Sequence, residues 1–314
     1  MTKPAASQQL SGYLFGSAAF TLFAIMPIYL QWLEPLSGYT VLCQRILWSS
    51  IIMLIFLTAT KSLRVHLSPL TNIRNWPGLL AGSILIGLQW GVFVWAPLNE
   101  QTLDLSLGYF LMPIIMVAIG RVFLKERLRP LQWLAIAFSV SGVTLAYLNS
   151  NGLTWVVIII ILGYPLYLML RRHQSLPTIS AFFLENLILL PFAIIGIILF
   201  GDIDGGALNH PFQYDSHWIG LFIGLAILGS IPMLCYIAAN SRLSMSNLGL
   251  LSYLEPTLIF MAAYFILNEK MTSHELYVYV PVAIALILTL IDGILSTKKH
   301  HSKNRLADHE YSDL

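Results

Sequence analysis

The chain has 314 residues, 57% of them hydrophobic and 10% charged, with a formal net charge of +2 at pH 7 and a mean hydropathy of +0.75. A soluble domain carries about 25% charged residues, and a soluble fold of this length leaves too much surface in water to hide so apolar a chain. These numbers exclude a soluble domain and make lipid the solvent for most side chains; the small net charge says nothing by itself, and the placement of the charges says more.

The first apolar run, residues 10–30, is too long for the core of a signal peptide, and no small-x-small cleavage site follows it. It reads as the first membrane span. A spanning helix needs roughly 20 apolar residues, and nine further stretches qualify: 38–59, 77–97, 105–124, 130–148, 152–170, 178–200, 217–239, 246–267 and 275–295. Prolines within them do not veto the assignment, because neighbouring helices can satisfy the freed carbonyls. Cys43 and Cys235 lie inside apolar runs and read as small buried hydrophobes.

Ten spans segregate the charges. Fifteen of the seventeen Lys and Arg residues fall on one side: Lys3, the 59–77 link, the 121–129 link, Arg171 and Arg172, Arg242, and the tail from Lys298. The other side holds Lys270 with Glu34, Glu100, Asp104, Asp202, Asp204, Asp215, Glu269 and Glu275. The positive-inside rule puts both termini in the cytoplasm. Arg45 remains, within the second span.

The two halves align with an offset of about 140 residues. Pro27-Ile28-Tyr29-Leu30 matches Pro165-Leu166-Tyr167-Leu168, and Gly82 and Gly87 match Gly224 and Gly229. Leu107-Gly108 precedes Pro113 as Leu248-Gly249 precedes Pro256, and Glu126 and Glu269 each follow their proline by thirteen residues. Each half holds five spans, so the second enters from the opposite face. The expected fold is an all-α membrane protein of ten transmembrane helices in two inverted five-helix repeats, an architecture of secondary transporters. The domains are a cytoplasmic tail 1–9, repeats 10–148 and 152–295, and a cytoplasmic tail 296–314. Pro113 and Pro256 are expected to break the fourth and ninth spans where these line a central cavity.

The motifs Gln44-Arg45-Ile46-Leu47-Trp48-Ser49, Trp90 with Trp95-Ala96, Ser106-Leu107-Gly108-Tyr109-Phe110 running to Pro113, Phe123-Leu124-Lys125-Glu126-Arg127, Glu185 with Leu189-Leu190-Pro191, and Tyr253 with Pro256-Thr257 resemble the EamA family of the drug/metabolite transporter superfamily, and within it the RarD-type group. The resemblance spans residues 8 to 296 in order. It implies a basket of spans one to four and six to nine around a substrate site, with spans five and ten outside. Departures from the family pattern are Gln44 in place of a histidine, Met112 in place of an asparagine, and Leu98 beside the retained Asn99.

A charge in hydrocarbon costs at least about 2.5–3.5 kcal/mol, so an intramembrane charge is expected to face the bundle interior with a partner. Arg45 either draws an anionic substrate group or pairs with a carboxylate. Glu185 is either a proton-coupling carboxylate or a structural partner of Arg45 or of an interior hydroxyl. Glu255, just before Pro256, either contacts cationic substrate groups or meets freed backbone. Asp292 reads as an interfacial helix-end residue, and Glu126 and Glu269 as helix-end ion pairs. Trp32, Trp76, Trp155 and Trp218 read as interfacial anchors, with Trp90 and Trp95 deep in the third span. The candidate substrate-binding set is Gln44, Arg45, Gln89, Trp90, Asn99, Tyr109, Tyr253 and Glu255.

The expected function is a permease for small metabolites or amphiphilic drugs in the inner membrane of a bacterium, working by alternating access as an exporter, with proton coupling open. The alternatives are an uncoupled facilitator, a channel or a sensor. No GxxxxGK[ST], HExxH or GxSxG motif occurs, so neither ATP hydrolysis nor an intramembrane enzyme is expected. No cofactor, metal or nucleic-acid partner is expected. The partners are a small-molecule substrate and the bilayer, and a homodimer stays open.

Overall fold

A computed structural model describes residues 6–33, 36–99, 101–148, 152–174, 176–200, 216–265 and 277–295. These residues are helical, with turns between. In chain order the α-helices are α1 (Ala6–Gln31), α2 (Gly38–Ala59), α3 (Leu63–Leu67), α4 (Trp76–Leu98), α5 (Thr102–Val122), α6 (Pro130–Leu148), α7 (Trp155–His173), α8 (Thr178–Phe200), α9 (Ser216–Asn240), α10 (Met245–Leu251) and α11 (Leu254–Phe265), then α12 (Tyr277–Leu295). Nine helices among the described residues are long and apolar enough to cross a membrane.

The ninth expected span is where the structure departs from a single rod. Its described part, with Met245 just before it, forms two helices, α10 of seven residues and α11 of twelve, separated at Ser252 and Tyr253. Pro256 does not cause this by breaking a helix interior. It sits in the first turn of α11, where its missing N–H would have had no partner. In the first copy, α5 runs unbroken through Pro113, so the break expected there is absent. Pro113 removes one donor, and the rest of the helix ladder carries on.

Helix ends follow local chemistry. Ser37 caps α2 by accepting from Thr40 N at 3.1 Å, and Ser244 caps α10 by accepting from Asn247 N at 3.1 Å. Each leaves one fewer orphan donor in a first turn. α2 closes with paired bonds, Ser62 N to Leu57 O at 2.9 Å and Lys61 N to Thr58 O at 3.0 Å. That closure requires a left-handed residue, and Lys61 supplies it at φ 55°.

The chain forms two compact units, each drawn from both halves of the sequence. One comprises residues 22–108 and 153–237. Within it α2 packs on α8 and α4 on α7 and α8. Met26, Leu33, Val41, Phe222 and Leu225 form a buried cluster there. The other comprises residues 1–21, 109–152 and 238–314. There α10 lies so close to α5 that a methyl on Gly249 would come within 2.9 Å of the Pro113 carbonyl oxygen. Arg129 pairs with Asp292 at 2.7 Å. Asp292 lies in the last turn of α12, as expected of a helix-end residue, but it is buried and held in this ion pair.

Glu126 has a part in this unit beyond the helix-end pairing expected of it. Lys125 adopts φ 54°, a conformation costing a non-glycine residue roughly 1–2 kcal/mol. The turn sends the Glu126 carboxylate onto the first turn of α10. There it accepts from Met245 N at 2.7 Å, Ser246 N at 3.0 Å and Ser246 Oγ at 2.6 Å. An anion at a helix N-terminus meets both orphan N–H groups and the positive end of the helix dipole. Glu269 lies outside the described residues.

Candidate functional site

The candidate residues divide between the two units. In the first, α2 carries Gln44 and Arg45, both buried. The Arg45 guanidinium carbon lies 4.0 Å from the centroid of the Trp90 ring, a cation–π contact worth about 2 kcal/mol when desolvated. Its Nη2 donates to Gly229 O at 3.2 Å. Gly229 makes room for this contact: a Cβ there would overlap the Arg45 guanidinium, which would have to shift. The Gln44 amide oxygen accepts from Trp48 Nε1 at 3.2 Å. Trp90 in turn donates from Nε1 to Tyr164 Oη at 3.2 Å, and Tyr164 meets Tyr236 edge-on at 5.8 Å. A buried cation thus lies on the Trp90 face of α4, and Trp90 is tied to aromatic side chains of α7 and α9 behind it.

Gln89, next to Trp90 on α4, is fully buried, and neither of its amide heteroatoms has a hydrogen-bond partner among the described residues. A Cβ on Gly163 of α7 would overlap its amide oxygen. Buried amides are normally satisfied, at a cost of about 1–3 kcal/mol per group when they are not.

Glu185 lies on α8 with no exposed surface. Its Oε2 accepts from the Tyr167 hydroxyl at 2.7 Å, and Oε1 lies 3.8 Å from Arg171 Nη1. Of the partners expected for Glu185, the interior hydroxyl is correct and Arg45 is not; the cation is Arg171. Tyr164, Tyr167 and Arg171 are spaced by three and four residues, so α7 presents them on one face. On α4, Gly82 makes room for the carboxylate and Gly78 for Gln174, since a Cβ at either position would overlap the opposing side chain. Ser83 Oγ reaches the Glu185 carbonyl at 3.4 Å.

Two residues of this unit lie at the end of α4. Asn99 is the exposed C-cap of α4, its amide donating to Trp95 O at 2.9 Å. Trp95 is 38% exposed and tilts against Trp155 at 4.8 Å, so it belongs to the helix end rather than the interior.

In the other unit, Tyr253 is fully buried in the α10–α11 interruption, and its hydroxyl donates to Phe110 O at 3.1 Å. The Tyr253 carbonyl accepts from Thr257 Oγ1 at 2.7 Å. Tyr253 therefore ties the interruption to the turn of α5 that precedes Pro113. Glu255 lies partly buried in the first turn of α11, where the helix dipole favours a carboxylate. Tyr109 is partly buried on α5, at the carbonyl that Pro113 cannot serve.

Sequence reading missed Tyr164, Tyr167, Tyr236 and Arg171. Arg171 had been counted only among the charges at span ends.

Many apolar helices enclosing a few buried polar groups define a multi-pass membrane transporter. Residues 10–148 match the model of the EamA-like transporter family. The chain is 37% identical to the Chloramphenicol-sensitive protein RarD of Pseudomonas aeruginosa, over 92% of this chain and 96% of that protein. It is 27% identical to Protein RarD of Escherichia coli K12, over 94% and 98%, and 30% identical to an uncharacterized transporter of Vibrio cholerae, over 94% and 95%. One solved crystal structure, 17% identical, superposes with a TM-score of 0.66 over 90% of this chain and 97% of its own, a likeness of fold alone. The chain belongs to the EamA-like transporter family, as a RarD-type member.

Proposed function

We propose that the chain is a secondary transporter exporting small metabolites or amphiphilic drugs across the bacterial inner membrane by alternating access. The observation that carries the reading is Arg45, a cation buried on a spanning helix and laid over the Trp90 ring. A flat cationic face beside Gln44 and Gln89 suits a substrate with an anionic or strongly polar group and an apolar body. The interruption between α10 and α11 supports a transporter, because discontinuous spans mark binding regions in inverted-repeat carriers. The ten-span inverted repeat, the cytoplasmic termini, and roles for Tyr109, Tyr253 and Glu255 in binding belong to the same proposal. Glu185 is the proposed coupling carboxylate. The name of the Pseudomonas aeruginosa relative puts chloramphenicol on the list of compounds to try.

A second reading has its own support. Glu185 is already engaged by Tyr167 and faced by Arg171, as a purely structural carboxylate would be, which fits an uncoupled facilitator. Flux in proteoliposomes separates the two. Vesicles are loaded with amino acids, organic acids or amphiphilic drugs, with and without an imposed pH gradient, and wild type is compared with Glu185→Gln. Gradient-driven flux in wild type alone supports proton coupling through Glu185. Equal flux with and without the gradient in both proteins makes the chain a facilitator. No flux for any compound above empty vesicles refutes transport of these classes.

A further inference from the structure

The geometry points to Arg171 as the positioning residue of a proton site on Glu185: the arginine is anchored by neutral acceptors, so the carboxylate can change charge without stranding it. This rests on the coupling role proposed for Glu185.

The pair is not built as a static ion pair. Both side chains are almost fully buried, at 2% and 1% exposure, yet their closest approach is 3.8 Å, too long for a hydrogen bond. A buried pair that only holds helices together gains most from direct, bidentate contact, which offsets the desolvation of both charges. Here the hydrogen bonds of Arg171 go elsewhere. Nη1 donates to the Gln174 amide oxygen, and Nη2 reaches Leu176 O at 3.5 Å. Both acceptors are neutral and lie in the α7–α8 link. Glu185 Oε2 is taken by Tyr167, while Oε1 faces the arginine with no donor upon it. Arg171 Nε likewise has no acceptor among the described residues.

Oε1 is therefore the open position. A proton from water adds there, the carboxylate becomes a carboxyl, and the net charge of the pair rises from zero to plus one. The arginine keeps its charge and its two acceptors in either state, and its field limits how readily the carboxylate accepts the proton.

Among the described residues, Arg171 and Tyr167 are the ionisable groups that face Glu185. α4 carries no titratable side chain from Trp76 to Leu98 and offers Glu185 only Gly82 and Ser83. α2 has Tyr39, Cys43 and Arg45 near its other end, where Cys43 and Tyr39 meet Gly196 of α8. α3 supplies Arg64, which is exposed, and His66, bonded to Ser180 Oγ at 2.8 Å, more than one turn of α8 before Glu185. On α7 itself, Arg172 and His173 follow Arg171, and His173 is exposed and bonded to Met169 O.

The test is an infrared titration of the carboxyl stretch in the purified full-length protein, alongside flux against pH. One carboxyl band should titrate in wild type and be missing in Glu185→Gln. Arg171→Gln should move its midpoint at least one unit to higher pH, a tenfold gain in proton affinity. Arg171→Lys should restore the midpoint to within a few tenths of a unit. Gln174→Ala, which leaves the arginine to the carboxylate, should move the midpoint the opposite way and covers the case in which Arg171→Gln does not fold. An unmoved midpoint in both variants overturns the proposal, as does the lack of any band that Glu185→Gln removes. A midpoint that moves as expected while flux ignores the gradient keeps the proton site and defeats the coupling role.

Discussion

The Tyr167 hydroxyl donates to Glu185 Oε2 at 2.7 Å, and one turn further along α7 Arg171 faces the other oxygen of the same carboxylate. A hydrogen bond to a buried charged group contributes about 1.5–3 kcal/mol. Tyr167→Phe removes the donor and almost nothing else. It should lower the melting temperature in detergent by several degrees. The double variant with Glu185→Gln should fall by less than the sum of the two single losses, because the residues share one interaction. Additive losses would show that the bond contributes little.

Gly82 is a steric requirement of the same carboxylate. A Cβ there would overlap Glu185 Oε1, whereas one on Gly91 of the same helix meets nothing within 4 Å. Overpacking costs about 1–3 kcal/mol. Gly82→Ala should therefore destabilise the protein, and Gly91→Ala should match or exceed wild type, since alanine is the better helix former. Shortening the acid with Glu185→Asp should recover part of the Gly82→Ala loss. If the two glycine variants melt together, the close approach at Gly82 does not hold in solution.

The spans could be read from sequence because twenty apolar residues have few alternatives to a membrane helix. A break in the ninth span was legible from Pro256, but its place at Ser252 and Tyr253 was not, since a hydropathy window averages over a two-residue turn. Pro113 and Pro256 look equivalent in the aligned segments, but their effect depends on distance from a helix start, and only α11 begins nearby. Arg171 was hidden because the positive-inside rule reads every basic residue near a span end as a topology marker. The spacing of Tyr164, Tyr167 and Arg171 on α7, with Gly78 and Gly82 on α4, carried the missing signal. Which acid Arg45 or Arg171 approaches is decided by packing between helices distant in sequence, which spacing along one helix does not encode.

Glu126 should matter for the stability of its own unit. It serves two backbone donors and one hydroxyl at the start of α10, and loss of a helix cap costs about 0.5–2 kcal/mol. Glu126→Ala should lower the melting temperature and speed proteolysis near residues 241–247. Glu126→Gln keeps one acceptor oxygen without the charge and should fall between alanine and wild type. Equal stability of all three would mean that Ser244, which already caps Asn247 N, suffices alone.

Arg45 offers two properties to a substrate, its charge and its flat guanidinium face, and substitutions can separate them. Arg45→Ala removes both and should abolish flux while the protein still inserts and melts cooperatively. Arg45→Lys keeps the charge but loses the plane over Trp90 and the fork that reaches Gly229 O. Losing a desolvated stack worth about 2 kcal/mol corresponds to roughly 30-fold in affinity. The lysine variant should therefore raise KM by about that factor, with maximal flux retained at saturation. Trp90→Phe, which keeps a weaker ring face, should raise KM by a smaller factor. Unchanged flux in Arg45→Ala removes Arg45 from the site. A lysine variant equal to wild type would show that charge alone is used and that the Trp90 stack serves packing.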